Sequence, residues 1–243
     1  MSYNIAIDGP AGAGKSTIAK AIAKKLQIIY VDTGAMYRAM ALYMLREQVD
    51  STDAEAVSTK CKEADITIGY EKGEQVVYLN GENVNAHLRT EEVGNMASAT
   101  SVQPAVRKKL VELQQALAAK NDCIMDGRDI GTCVLPNAQV KVYLTASSEV
   151  RAKRRYDELT AKGQECDFEK IKADIEERDY RDMNREHSPL RQAEDAVLVD
   201  SSDMTIEEVI DKIVLFYYSH CNGDNRHNLQ THQNILMFLL VVP

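Results

Sequence analysis

Residues Gly9, Pro10, Ala11, Gly12, Ala13, Gly14, Lys15 and Ser16 spell out G-x-x-x-x-G-K-[ST], and Thr17 extends the run of hydroxyls. The apolar stretch "NIAID" (4–8) precedes them, and Ile18, Ile22 and Leu26 follow at helical spacing. These flanks constrain the fold more than any other feature of the chain. A strand must end where the loop begins, and a helix must open where it closes. The loop N–H groups and the helix N-terminus then converge on one anion. In such a loop Lys15 reaches the β- and γ-phosphates of a nucleoside triphosphate, taken here as ATP, and Ser16 ligates Mg²⁺.

Further apolar runs without polar alternation occur at 28–32, 123–126, 140–144 and 196–200, as expected of central strands in a parallel sheet. Helical stretches separate them. Residues 35–48 are apolar nearly all round, and Val106, Leu110, Leu113 and Leu117 form one stripe within 105–120. This alternation predicts the α/β class. One segment departs from it. Residues 64–84 carry two alternating runs around Glu-Lys-Gly-Glu, which predicts a β-hairpin inserted in the main domain.

Composition narrows the function classes. A formal net charge of −8 repels nucleic-acid backbones, so anion recognition must be local and no nucleic-acid partner is expected. The cysteines at 61, 123, 133, 166 and 221 are scattered and include no C-x-x-C pair, so they read as free thiols in a reducing, cytoplasmic setting. No apolar run reaches membrane-spanning length, so no membrane partner is expected. A guanine-reading Asn-Lys-x-Asp motif is also missing, which argues against a GTPase.

Three arginine-bearing clusters offer a second anion site. "DTGAMYR" places Arg38 in a helix after Asp32, Thr33 and Gly34. "MDGRDIG" places Gly127, Arg128 and Asp129 after Asp126 at a strand end. "EERDYRDMNR" sets Arg178, Arg181 and Arg185 along a helix with Asp182 among them. The first two lie at carboxyl ends of strands, where ligands gather in open α/β sheets. The third also reads as a solvated face laced by Asp174–Arg178 and Glu177–Arg181 pairs. In the second cluster, a glycine between two charged residues has no evident packing purpose.

In order along the chain, "IDGPAGAGKST", "DTGAMYR", "RTEEVGNMAS", "DGRDIGT", "ASSEVRAKRR" and "RDYRDMNR" closely resemble the bacterial cytidylate kinase family, from about residue 3 to 218. The resemblance implies a P-loop nucleoside monophosphate kinase fold with a five-stranded parallel sheet flanked by helices. It implies a kinase domain over residues 1–220, with a small β insert at about 63–92 and a lid at about 150–166. The implied substrates are CMP and dCMP, and the implied state is a monomer.

Carried onto this chain, Thr33 and Asp182 contact the acceptor sugar. Arg38, Arg128 and Arg178 grip its phosphate, with Arg185 nearby, and Ser98, Arg107 and Asp129 read the base. Lys15, Arg128 and Arg178 are the expected catalytic residues, and Asp126 orients a magnesium-bound water. Position 33 is often serine in relatives, and threonine keeps the hydroxyl while adding a methyl group beside the sugar. Two rival readings stay open, another small-molecule kinase on the same fold and a non-enzymatic nucleotide switch.

The chemistry of cytosine fits this set. Its exocyclic amine donates beside acceptors at N3 and O2, which suits a carboxylate next to an arginine or a hydroxyl. The acceptor phosphate has a second pKa near ~6 and is largely ionised at neutral pH, so no general base is needed. Accordingly, none of the histidines at 87, 187, 220, 227 and 232 lies in a matched motif. Arg151, Arg154 and Arg155 in the lid stand ready to close over the transferring group, with nothing in the sequence to choose among them.

Residues 205–220 resemble the family's closing helix, with Ile206, Val209, Ile210, Ile213 and Val214 apolar. The extension at 221–243 ends in an apolar octet, Ile235 to Val242, and has no family counterpart. A chain ended near His220 is expected to keep full CMP turnover with equal or better solubility, as a coupled assay and sedimentation would record. Loss of activity in a well-folded truncation would place the extension in the site.

Overall fold

The computed structural model describes residues 2–221, and the extension beyond them lies outside the described residues. In chain order, the strands are β1 (Asn4–Asp8), β2 (Ile29–Asp32), β3 (Ile66–Glu71), β4 (Glu74–Leu79), β5 (Glu82–Asn83), β6 (Cys123–Gly127), β7 (Val140–Thr145) and β8 (Val197–Asp200). The α-helices are α1 (Lys15–Leu26), α2 (Thr33–Arg46), α3 (Ala54–Glu63), α4 (Glu91–Thr100), α5 (Pro104–Lys120), α6 (Ser148–Ala161), α7 (Phe168–Asn184) and α8 (Ile206–Cys221).

Five strands form one parallel sheet in the order β2-β6-β1-β7-β8. Its central strands are mainly apolar because helices cover both faces, with polar residues at their ends and Lys141 within β7. One face packs Ala6, Val31 and Met125 against α2, α4 and α5. The other packs Ile5, Ile7, Ile124 and Val142 against α1 and α8. Because α2 lies between the sheet and α4, Met36, Met40 and Met44 are completely buried, which accounts for its apolar circumference. On α8, Val209, Ile213 and Val214 pack inward as their spacing predicts, but Ile206 stays exposed at the first turn.

The insert is a three-stranded antiparallel sheet in the order β3-β4-β5 rather than a simple hairpin. Its third strand, Glu82–Asn83, is two residues long, too short to leave an alternation signal in the sequence. The segment expected as a lid is the helix α6 followed by a short connection to α7. Residues 130–134 form one π-helical turn after β6, a rare wide turn frequent at functional sites.

The sheet order reverses direction at β1, with β6 on one side and β7 on the other. A crevice therefore opens above the carboxyl ends of β1 and β6, where ligands bind in sheets of this type.

Candidate active site

A cleft of about 910 Å³ occupies that crevice. It is lined by the phosphate loop from Ala11 to Thr17 and by Thr33, Arg38, Ser98, Arg107, Asp126, Arg128, Asp129, Arg178, Asp182 and Arg185. The structure thus brings five segments far apart in sequence to one surface. Gly9 and Pro10 lie behind the lining, at the base of the loop.

On the donor side, β1 ends at Asp8 and the chain turns under the carbonyl of Leu144. A Cβ on Gly9 would stand 1.9 Å from that oxygen, so only glycine passes there. Helix α1 begins at Lys15 with no side chain capping it, which leaves its first N–H groups for an anionic ligand. Lys15 folds back, and its Nζ donates to the carbonyl oxygens of Gly9 and Pro10 at 2.7 Å each. Burial, followed by the positive charge of Arg128, pushes its ammonium well below the ordinary lysine value. Negative charge placed beside it would reverse that shift.

Ser16 Oγ donates to Asp126 Oδ2 at 2.8 Å, so the hydroxyl and carboxylate expected around magnesium are neighbours. Tyr30 holds the other oxygen, its hydroxyl donating to Asp126 Oδ1 at 2.8 Å. Burial, then the negative charge of Asp32, raises the Asp126 carboxyl above its usual value.

Asp8 was not anticipated from sequence. Its carboxylate accepts from the backbone N–H groups of Ile130 and Gly131 at 2.7 Å each, tying the root of the phosphate loop to the turn that follows Asp129. Burial pushes its pKa up to about 6 despite those two donors. The sequence signal was an acid directly before Gly9, which at a strand end looks like ordinary strand termination.

On the acceptor side, Gly127 has the packing role that its sequence context hid. A Cβ there would meet Ile130 Cδ1 at 2.7 Å and Thr33 Oγ1 at 2.9 Å. The expectation of no packing purpose is therefore corrected: the start of α2 and the π-turn both press on this position. Thr33 Oγ1 donates to the carbonyl of Asp126 at 2.7 Å, so its proton is committed and the oxygen can only accept from a further hydroxyl.

Arg128 Nε donates to Asp182 Oδ2 at 2.8 Å. Burial raises the Asp182 carboxyl, but Arg128, Arg178 and Arg185 together outweigh burial and the net pKa is lowered. Arg178 is exposed to solvent along the cleft. Partial enclosure, then the positive charges of Arg128 and Arg38, push its pKa down, the mark of cations crowded together without enough counter-charge. Arg38 Nε likewise finds no hydrogen-bond partner among the described residues. Of the two surface pairs expected on α7, Glu177–Arg181 forms loosely at 3.7 Å, whereas Arg178 serves the cleft.

Asp129 sits deeper. It makes a very short contact with Arg107, and the two side chains are 7% and 6% exposed. Arg107 Nε reaches Ser188 Oγ at 3.2 Å, and its guanidinium lies over the ring of Tyr37 at 5.8 Å. Arg185 stands 3.5 Å from the other oxygen of Asp129, so it groups with Asp129 and Arg107. Ser98 lines the cleft opposite. The histidines at 87, 187 and 220 are exposed and away from the cleft.

The structure separates the three lid arginines. Arg151 is buried and makes three contacts. Its Nε donates to Ala146 O at 2.8 Å, one amino group donates to Ala11 O at 2.9 Å, and the other pairs with Asp179 at 2.7 Å. Arg154 donates to Ser201 O at 2.7 Å, and Arg155 pairs with exposed Glu158 at 2.9 Å. Arg151 thus straps the phosphate loop to α7, which carries Arg178 and Asp182. Arg151→Ala is expected to leave the Asp179 carboxylate buried without a partner and to lower stability by about 3–5 kcal/mol in urea unfolding. Arg155→Ala should leave the same midpoint essentially unchanged.

Comparison with known proteins follows the same residues. The family model described as cytidylate kinase matches residues 5–218. A cytidylate kinase of Caldicellulosiruptor saccharolyticus is 51% identical over 215 residues, covering 88% of this chain and 95% of that protein. A cytidylate kinase of Bacillus subtilis is 49% identical over 211 residues, covering 87% of this chain and 94% of that protein. Since the match spans residues 5–218, from the phosphate loop past Arg38, Arg128 and Arg178 into α8, this chain belongs to the cytidylate kinase family.

Proposed function

We propose that this protein transfers the γ-phosphoryl group of ATP to CMP or dCMP, giving ADP and CDP or dCDP. The observation that carries the proposal is one cleft holding two cationic sites, the phosphate loop and the Arg38–Arg128–Arg178 group, with a buried carboxylate–guanidinium pair beyond the second. A nucleotide switch needs only the first of these sites. An acceptor without an exocyclic amine, such as UMP, would give the Asp129 carboxylate no amine donor to accept from.

Phosphoryl transfer is governed by positioning and charge neutralisation. Lys15 leaves its two loop carbonyls for the donor phosphates. Arg38, Arg128 and Arg178 hold the acceptor phosphate so that an already ionised oxygen faces the γ-phosphorus, and no protein base takes part. Thr33 and Asp182 accept from sugar hydroxyls. Asp129 accepts from the cytosine amine while Arg107 and Ser98 serve the ring acceptors. Uracil would turn a carbonyl oxygen toward Asp129 and leave both groups unpaired.

Magnesium suits the donor side. The described residues contain no cluster of three or more His, Cys, Asp or Glu side chains able to cage a metal ion. Ser16 would give the ion one direct hard oxygen and Asp126 would hold one of its waters, a sparse protein set that fits an ion which keeps most of its waters and phosphate ligands. When bound it neutralises charge on the donor phosphates. The site is complete within one chain, which supports a monomeric enzyme. The free thiols at Cys61, Cys123, Cys133 and Cys166, together with the ATP donor, support a cytoplasmic setting.

A coupled assay with CMP, dCMP, UMP and AMP tests the proposal. CMP and dCMP should turn over far faster than the others. Preference for AMP or UMP would assign a different nucleotide kinase.

A further inference from the structure

β2 is an edge strand of the main sheet, and the small sheet covers it with side chains rather than with a ladder. Tyr70 on β3 and Gln75 on β4 are directly opposite each other, so both side chains leave the same face. Tyr70 donates its hydroxyl proton to Tyr30 O at 3.0 Å. Gln75 does more. Its Oε1 accepts from the Asp32 N–H at 2.7 Å, and its Nε2 donates to Asp32 O at 3.3 Å, so one amide satisfies both backbone groups of a single residue.

Asp32 is the junction between β2 and α2. Its Oδ1 caps the helix by accepting from the Ala35 N–H at 2.8 Å, and its Oδ2 pairs with Arg38 at 3.3 Å. The pair is tightly seated: a Cβ on Gly34 would lie 3.2 Å from Asp32 Oδ1 and 3.3 Å from an Arg38 amino nitrogen. On the far side, Asn85 repeats the device used by Gln75. It accepts from the Val77 N–H and donates to Gln75 O, each at 2.9 Å, which fixes the backbone that presents Gln75. Asn85 opens the short 3₁₀ turn Asn85–His87, which leads into the cleft wall at Leu88, Arg89 and Thr90.

We propose that Gln75 is a positioning residue that relays the placement of the small sheet through Asp32 to Arg38, so that the acceptor-phosphate grip is set by the insert. The inference rests on the reading of Arg38 as a phosphate ligand given above. When the wall beside Leu88–Thr90 shifts around an acceptor, Asn85 and Gln75 move with β4 and carry Asp32 and its arginine along. Tyr70 docks the same sheet but touches neither Asp32 nor Arg38, which makes it the natural control.

The test compares Gln75→Met, which keeps length but loses both hydrogen bonds, with Tyr70→Phe. In the ligand-free protein, Gln75→Met should speed exchange of the Asp32 amide proton and shift the Arg38 Nε–H resonance, whereas Tyr70→Phe should do neither. With substrates, Gln75→Met should raise the KM for CMP about tenfold, within the loss expected of the two hydrogen bonds removed, and leave the KM for ATP unchanged. An unmoved Arg38 resonance in Gln75→Met, or equal effects of the two variants, would overturn the relay. A wild type that does not phosphorylate CMP would instead fail the functional reading alone, because the amide and guanidinium signals are read without substrate.

Discussion

Lys15→Ala is expected to lower ATP-dependent phosphorylation of CMP by at least about 10²–10³-fold, the scale set by removing one preorganised donor to developing charge. The lysine lies within the donor loop, and among the described residues its Nζ donates to the Gly9 and Pro10 carbonyls, groups it can exchange for phosphate oxygens. CMP binding should survive, because Arg38, Arg128 and Arg178 lie across the cleft and their links to Asp32 and Asp182 do not involve Lys15. Titration calorimetry with CMP, beside turnover in a coupled assay, separates the two effects. Near-normal turnover would remove the loop from the chemistry, and loss of CMP binding would mean that the two sites are not distinct.

Asp129→Asn should erode discrimination between CMP and UMP by about 10- to 100-fold in kcat/KM, the range for losing a hydrogen bond to a charged group. The amide offers uracil the donor that the carboxylate withholds. The same change leaves the Arg107 guanidinium buried without its counter-ion, so stability should fall by about 3–5 kcal/mol and folding must be verified. Arg178→Ala is the contrasting variant. It should weaken every monophosphate alike, since the contact proposed for it is to the phosphate. A folded Asp129→Asn enzyme with undiminished preference for CMP would place base reading elsewhere.

These expectations were legible in the sequence to different depths. The strands could be read because a parallel sheet covered on both faces demands unbroken apolar runs, and the phosphate loop because its mechanism fixes glycine, lysine and hydroxyl at set spacings. The third strand of the insert could not, since two residues carry no period. Gly127 was misread because its constraints come from Thr33 and Ile130, which the sequence does not mark as its neighbours. Asp8 and Tyr30 were missed for a related reason. Each lies in an apolar strand, and its role appears only when Gly131 or Asp126 arrives from another segment. Arg151, Arg154 and Arg155 share one helix and one chemistry, and only the fold places Ala11 and Asp179 against the first of them.

The central claim is that phosphate passes from one side of this cleft to the other rather than to water. Phosphorus NMR of a mixture of ATP, CMP, magnesium and enzyme tests it directly. The account predicts the paired doublets of CDP growing in step with ADP, with no matching rise of inorganic phosphate. ADP accompanied by inorganic phosphate, with the CMP resonance unchanged, would contradict it.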